Sequence, residues 1–141
     1  MDFKRVLVML ASMVLAVGVG LSVAAPSEAA AVRCKGSSCS NKDPNVMRCA
    51  KDAITIQQTK PGGAIPVQLR WSKKCKAGWA RLSSKAGNWW TFRLEVKNGP
   101  FYTAVGSPNF RAYTRMSGSS KPMRACIKQY ASSSWICTRW F

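Results

Sequence analysis

The stretch that decides the fold is residues 89–105, which read WWTFRLEVKNGPFYTAV. In its first half, apolar side chains alternate with polar and charged ones, as expected of a strand with one buried and one solvated face. These apolar residues are Trp90, Phe92, Leu94 and Val96. Asn98-Gly99 follows at once, and this dipeptide is a strong hairpin signal. The stretch therefore predicts two antiparallel strands joined by a tight turn.

Similar alternation recurs on both sides of this hairpin, with turn-forming residues between the runs. The further runs lie near residues 54–56, 65–71, 110–116, 123–130 and 135–140. Residues 75–84 fit a strand and a short helical turn equally well. Seven to eight short strands at this spacing predict an all-β, antiparallel domain stabilised by disulfides. The pattern leaves a small sandwich and a small barrel open.

The first 31 residues have the features of a cleaved signal peptide. Lys4 and Arg5 precede an apolar run from Val6 to Val23. Small residues leave the cleavage site open among Ala29 to Ala31. We therefore expect one mature domain, residues 32–141, with no transmembrane segment. It would be a monomer outside the cell or on the cell wall.

All six cysteines follow the predicted signal peptide, at Cys34, Cys39, Cys49, Cys75, Cys126 and Cys137. An even number in an exported chain predicts up to three disulfides. Cys126 and Cys137 lie symmetrically about the turn at Ala131-Ser132, which predicts that antiparallel pairing brings them together. The pairing of the other four stays open. Residues 32–52 hold three cysteines and many turn-forming residues, so they predict a Cys-rich loop stapled to the β domain.

The composition argues against metal and catalytic chemistry. The chain has no His and no Cys-x-x-Cys pair, so we expect no metal site and no cofactor. A Ser-His-Asp triad is excluded for the same reason. Asp43 precedes a proline in a predicted turn, Asp52 suits a bond to local backbone, and Glu95 suits a surface ion pair with Arg93 or Lys97. We predict a protein that is not an enzyme, although an enzyme or inhibitor without a readable signature stays open.

The net charge of the chain is +17, from 22 Lys and Arg against 5 Asp and Glu. The predicted signal peptide is neutral, so residues 32–141 keep the whole charge. This exceeds the roughly 2–8 charges that suit a small soluble domain. A field of this size attracts polyanions. Outside a cell these include teichoic acid, anionic lipid and nucleic acid.

Cations on the polar strand faces, together with tryptophans near them, are the candidate binding residues. We expect the strand-face cations to form one cationic sheet surface, and exposed tryptophan beside it to form a stacking platform. The candidates are Arg70, Trp89, Arg93, Lys97, Arg111, Arg115, Trp135, Arg139 and Trp140. They predict a secreted, non-enzymatic protein that binds anionic envelope or extracellular polymers. The alternative is an antibacterial or toxin-like effector that acts on anionic membranes.

An ordered set of short motifs runs through the first part of this domain. It comprises Cys34-x4-Cys39, Lys42-Asp43-Pro44, Cys49-x2-Asp52-Ala53, Leu69-Arg70-Trp71-Ser72-x2-Cys75 and Trp79-Ala80-Arg81. The order resembles a family of small secreted proteins of Gram-positive bacteria classed as a domain of unknown function, in which Tyr is usual where this chain has Trp71. The resemblance spans residues 34–126 and implies export and a Gram-positive origin. It implies no catalytic residue, and the segment after Cys126 has the character of an addition.

Overall fold

The computed structural model describes residues 31–59, 66–83, 89–107 and 112–141. These ranges contain seven antiparallel strands in two sheets. The three-stranded sheet has the order β1-β2-β3, with β1 at Ile54–Thr59, β2 at Val67–Ser72 and β3 at Ala77–Leu82. The four-stranded sheet has the order β5-β4-β6-β7, with β4 at Trp90–Val96, β5 at Phe101–Gly106, β6 at Met123–Gln129 and β7 at Ile136–Cys137. The predicted all-β antiparallel fold is confirmed.

The helical content of the described residues is limited to two short 3₁₀ helices, at Gly36–Cys39 and Cys49–Lys51. No helix in the described ranges is long and apolar enough to cross a membrane. Apart from Ala31, the predicted signal peptide lies outside the described residues, and so does Arg111.

The central hairpin forms where the sequence predicts it, between β4 and β5. Asn98 takes the left-handed conformation at φ 51°, which asparagine tolerates better than most residues. The amide of Gly99 donates to the carbonyl of Val96 at 3.0 Å, and the amide of Val96 donates to the carbonyl of Pro100 at 3.1 Å. The turn thereby brings Glu95 directly opposite Phe101 on the partner strand.

The main core lies between the two sheets, so the architecture is a sandwich. The four-stranded sheet contributes its inward-facing residues Trp90, Phe92, Leu94, Val96, Met123, Ala125 and Ile127. The three-stranded sheet contributes Val67, Leu69, Ala80 and Leu82. Full burial of each large apolar side chain stabilises the fold by about 1.5–3 kcal/mol. At the end of β5 the sheets approach so closely that a Cβ at Gly106 would collide with Leu82.

A second, smaller core covers the outer face of the three-stranded sheet. The Cys-rich loop packs there around Trp79 and Met116, which are both buried. A disulfide between Cys49 and Cys75 ties this loop to the β2–β3 turn, and a second, Cys34–Cys39, closes its first turn. Because Trp79 and its neighbours Ala80 and Leu82 are buried on opposite sides, β3 has no solvated face. This explains why its sequence lacks the alternation of a half-exposed strand.

Two predicted strands are shorter than the sequence suggests, for one physical reason. The hydroxyl of Thr138 accepts the amide of Ala125 at 3.1 Å, and the hydroxyl of Thr114 accepts the amide of Ala80 at 3.1 Å. Each hydroxyl then donates to the carbonyl of the next residue, Arg139 or Arg115. A side chain thus takes the acceptor position of a backbone carbonyl, which interrupts the ladder.

Within residues 112–116, the described part of the predicted strand at 110–116, only an isolated bridge at Tyr113 remains, and a second bridge follows at Ser117. Phe110 and Arg111 lie outside the described residues. The predicted strand at 135–140 reduces to β7.

A candidate cationic-aromatic binding face

The outward face of the four-stranded sheet gathers cations and aromatic rings from three strands and the C-terminal segment. Strict alternation along β4 points Arg93 and Glu95 away from the core. Register then places Arg124 opposite Glu95, and Lys128 opposite Thr91. We call the set Arg93, Phe101, Arg124, Lys128, Trp135 and Trp140 the cationic-aromatic face.

Glu95 holds the two arginines of this face in place. Its Oε1 accepts from Nε of Arg93 at 2.6 Å and also contacts Nη2 of that guanidinium, and its Oε2 accepts from Nε of Arg124 at 2.6 Å. Glu95 is only 8 % exposed. The predicted ion pair with Arg93 is confirmed, but the carboxylate is buried instead of lying at the surface, and Arg124 is a further partner that the sequence did not suggest. Charge-assisted bonds of this kind fix side-chain orientation.

Aromatic rings lie over the same cations. The guanidinium carbon of Arg93 is 4.1 Å from the ring centroid of Trp135 and 5.2 Å from that of Phe101. The guanidinium carbon of Arg124 is 4.4 Å from the ring centroid of Trp140, and Nζ of Lys128 is 5.4 Å from that of Trp135. Each exposed cation–π contact contributes about 0.5–1 kcal/mol. The face is thus ordered before any ligand arrives.

Three features hold the C-terminal segment over the sheet. Cys126 of β6 is bonded to Cys137 of β7, the pair that the sequence favours. Thr138 bridges to Ala125, as described above. Phe141 exchanges backbone hydrogen bonds with Met123 at 2.8 and 2.9 Å. Trp135 and Trp140 therefore project from an anchored segment.

Trp89 lies at one end of the same outer surface, as its polar-face position predicts. It is 56 % exposed and forms a shallow concavity with Val105 and Tyr130. Its carbonyl accepts the amide of Tyr130 at 3.1 Å, which extends the β4–β6 pairing by one step. Within the described part of the chain, no cation–π contact involves Trp89.

The remaining predicted site residues do not join one surface. Arg70 lies on the outer side of the three-stranded sheet, where it donates to Thr55 and Ala53, so it faces away from Arg93 across the sandwich. The expectation of one cationic sheet surface is corrected by this placement. Lys97 is exposed where β4 ends, and Arg115 and Arg139 are exposed beside the two threonine interruptions.

Sequence reasoning did not single out Phe101 for this face. The sequence did contain the information needed to place it. The Asn98-Gly99 turn fixes the register of the hairpin, and this register puts Phe101 opposite Glu95.

The other two carboxylates of residues 32–141 serve local structure. Oδ1 of Asp43 accepts the amides of Asn45 and Val46 at 2.8 and 3.1 Å, as the predicted turn requires. Its Oδ2 accepts the hydroxyl of Tyr113 at 3.2 Å. Asp52 accepts the hydroxyl of Ser72 at 2.7 Å and the amide of Lys74 at 3.0 Å.

Four sulfur atoms cluster beneath the Cys-rich loop, within 4.8 Å of one another. They belong to the disulfides Cys34–Cys39 and Cys49–Cys75, and the non-bonded sulfurs of Cys34 and Cys49 are 3.7 Å apart. Metal binding by cysteine requires a thiolate, which a disulfide does not supply. In this oxidised form the cluster is a structural staple.

The family comparison covers most of the sandwich. A family model described as "Protein of unknown function (DUF2690)" matches residues 37–126. No curated protein and no solved structure matches the chain. The matched region ends at Cys126, within β6, so Lys128, Trp135 and Trp140 of the cationic-aromatic face lie after it. On the extent of this match, the chain belongs to the DUF2690 family of proteins of unknown function.

Proposed function

We propose that the protein is a secreted, non-enzymatic binder of anionic polymers, which it holds against the cationic-aromatic face. The single observation that carries this proposal is the ordered pair of partly exposed stacks, Arg93 with Trp135 and Arg124 with Trp140. Three cations and one carboxylate leave this small surface with a net charge of two. The partly exposed rings offer contact area to sugars or bases, while the cations meet phosphates.

Net charge supplies the long-range part of the attraction. A polyanion carries condensed cations, and a chain at +17 that releases them on binding gains free energy in a salt-dependent way. The aromatic rings add short-range contacts that salt does not screen. A phosphate polymer with a sugar or polyol backbone, such as a teichoic acid, presents both kinds of group and is our favoured ligand class.

The experiment is a titration of the chain without its predicted signal peptide against poly(glycerol phosphate), repeated over a salt series. If all three cations of the face contact phosphates, the logarithm of the association constant should fall with the logarithm of the salt concentration with a slope of about −2 or steeper. Absence of binding at low salt, or an affinity that does not change with salt, would overturn the proposal.

A second candidate function is favoured by exposed apolar residues beside the same cations. Ile136, Trp140 and Phe141 are 42 %, 38 % and 51 % exposed within the C-terminal segment. Aromatic residues next to cations suit the interface of an anionic membrane. Dye leakage from vesicles that contain anionic lipid, at protein concentrations that saturate poly(glycerol phosphate), would favour this effector role. Intact vesicles under those conditions would exclude it.

A further inference from the structure

A cleft beside the β2–β3 turn has the size of a small-molecule site. Its volume is about 450 Å³, and small-molecule sites typically have roughly 300–1,000 Å³. Strand β2 and its turn contribute Trp71, Lys73 and Lys76, the first 3₁₀ helix contributes Gly36, and the loop before β6 contributes the rest of the described lining. None of these lining residues belongs to the cationic-aromatic face, so the cleft is a separate candidate site.

Backbone contacts hold the walls of this cleft together. The amide of Gly36 donates to the carbonyl of Cys75 at 2.7 Å, which joins the first 3₁₀ helix to the β2–β3 turn. Gly78 and Ser117 exchange two backbone hydrogen bonds, each 2.9 Å long. Gly118 lies so close to Gly36 that an added Cβ would collide with the Gly36 carbonyl. The cleft is therefore formed before a ligand binds, which lowers the ordering cost of binding.

Trp71 supplies a fixed aromatic wall. Its ring centroid lies 5.9 Å from that of Phe141, in an edge-to-face contact with an interplanar angle of 66°. Gly78 lies against another part of the ring, because an added Cβ there would be 3.3 Å from Cε3 of Trp71. The side chain is nevertheless partly exposed and lines the cleft. An indole held in this way offers a flat apolar surface to the C–H groups of a sugar ring.

Lys73 and Lys76 make the same cleft cationic. Both side chains are exposed, and no described lining residue is a carboxylate. Within the part of the chain that the structure describes, neither ammonium has an ion-pair or hydrogen-bond partner. An ammonium is a compact point charge with three donors, so it pairs with a carboxylate or a phosphate alike. The cleft thus favours a ligand with an anionic group.

Two serines add neutral polar groups to the lining. The hydroxyl oxygen of Ser119 accepts the amide of Lys121 at 3.0 Å, which leaves the hydroxyl proton available to donate. The side chain of Ser120 is exposed and forms no hydrogen bond with the described residues. Serine hydroxyls both donate and accept, as sugar hydroxyls do. Aromatic, cationic and hydroxyl groups therefore line one preformed cleft.

We infer that this cleft binds a sugar ring that carries an anionic group, with the ring against Trp71 and the anionic group held by Lys73 and Lys76. The inference does not rest on the proposed function. Poly(glycerol phosphate) contains no sugar ring, and the cleft shares no described residue with the cationic-aromatic face. Either proposal can therefore fail while the other holds.

The test is an NMR titration of the chain without its predicted signal peptide, read at the Trp71 indole N–H, which is assigned by its loss in Trp71→Tyr. Methyl β-glucuronide should shift this resonance in a saturable way. Methyl β-glucoside, which has the ring without the charge, should bind about 5-fold or more weakly. Acetate, which has the charge without the ring, should also bind more weakly. Equal binding of glucuronide and glucoside, or of glucuronide and acetate, would overturn the inference.

Glucose 6-phosphate is titrated in parallel to identify the anionic group. Saturable binding of either charged sugar supports the inference, and the tighter of the two shows whether carboxylate or phosphate is preferred. Absence of a saturable shift at Trp71 with both charged sugars would overturn it.

Two double variants of equal net charge localise the effect. Lys73→Gln with Lys76→Gln removes both ammoniums of the cleft and should weaken binding of the charged sugar by about 5-fold or more. Lys51→Gln with Lys74→Gln removes two charges from exposed positions outside the described lining, one of them in the same turn. This control should keep the affinity within about 2-fold of wild type, because solvent screens distant charges. Equal weakening by the two double variants would assign the effect to net charge and contradict the site.

Discussion

The guanidinium of Arg93 lies over the ring of Trp135, with 4.1 Å between the guanidinium carbon and the ring centroid. This contact joins the middle of β4 to a segment that begins after the family match ends. The stacked pair is ordered from both sides, because Glu95 binds the guanidinium and the Cys126–Cys137 disulfide anchors the chain beside Trp135. The candidate face is thus assembled from the family's sandwich and from a C-terminal segment of this chain.

Exposure of an aromatic ring and its pairing with a cation can be separated experimentally. Trp140 is stacked on Arg124, whereas Trp89 is the more exposed of the two rings. Because the ring of Trp140 orients the Arg124 guanidinium through a cation–π contact worth about 0.5–1 kcal/mol, we expect Trp140→Ala to weaken binding of poly(glycerol phosphate) by about 2- to 5-fold. Trp89→Ala should weaken it less. Affinity is measured by calorimetry on folded variants. A larger loss of affinity with Trp89→Ala than with Trp140→Ala would show that the polymer binds at the end of the sheet near Trp89.

Glu95 should contribute to stability through its two arginines. Glu95→Gln removes the charge from a nearly buried acceptor and should lower the free energy of unfolding by about 1–2 kcal/mol. A double-mutant cycle with Arg124→Gln, measured by urea denaturation, isolates the cross-strand pair, for which we expect a coupling of about 1 kcal/mol. A coupling near zero would mean that the observed bonds contribute nothing measurable.

The alternating strands are the part of the fold that the sequence predicts best. In β4 one face meets the core and the other carries the polar and charged side chains, so polarity reports orientation directly. In β3 both faces are buried, one by the main core and one by the Cys-rich loop, and that signal disappears. The strand interruptions at Thr114 and Thr138 could not be predicted from the pattern of polar and apolar residues, because threonine is also common in regular strands.

The candidate site was harder to predict because its contacts depend on strand order. The partnership of Glu95 with Arg124 requires that β6 lies beside β4, which no local pattern reveals. Arg70 and Arg93 have equivalent positions on amphipathic strands, yet they fall on opposite outer faces because their strands belong to different sheets. Local alternation predicts on which face of its own strand a residue lies. The outer surface to which that face belongs depends on the strand order of the two sheets.

The threonine interruptions make a specific prediction about stability. Thr138→Val keeps the shape but leaves the buried amide of Ala125 without its acceptor, which should cost about 1–3 kcal/mol. Thr114→Val should have a similar cost through Ala80. The matched variants Thr138→Ser and Thr114→Ser keep the hydroxyl and should retain most of the stability. Equal stability of the Val and Ser variants in thermal denaturation would show that the hydroxyl bonds do not matter.

The three disulfides should differ in their contribution according to the length of the loop that each one closes. The sequence separations are 5, 11 and 26 residues for Cys34–Cys39, Cys126–Cys137 and Cys49–Cys75. Loop-closure entropy predicts losses of about 2, 3 and 3.5 kcal/mol when each pair is replaced by serine.

Polymer binding by the same disulfide variants gives an independent readout. Loss of Cys126–Cys137 should also weaken poly(glycerol phosphate) binding, because Trp135 and Trp140 lie in the segment that this bond anchors. The other two replacements should leave binding intact in the folded protein. Binding that depends equally on all three bonds would contradict this arrangement.

The central claim is that polymer binds at the cationic-aromatic face and not wherever the protein is positive. The most direct measurement compares Lys128→Gln with Lys51→Gln in the poly(glycerol phosphate) salt series. Lys128 belongs to the face, whereas Lys51 is exposed in the Cys-rich loop on the other side of the sandwich, and the two variants have the same net charge. The account predicts that Lys128→Gln lowers affinity and flattens the salt slope by about 0.7, while Lys51→Gln leaves both close to wild type. Equal effects of the two substitutions would contradict it.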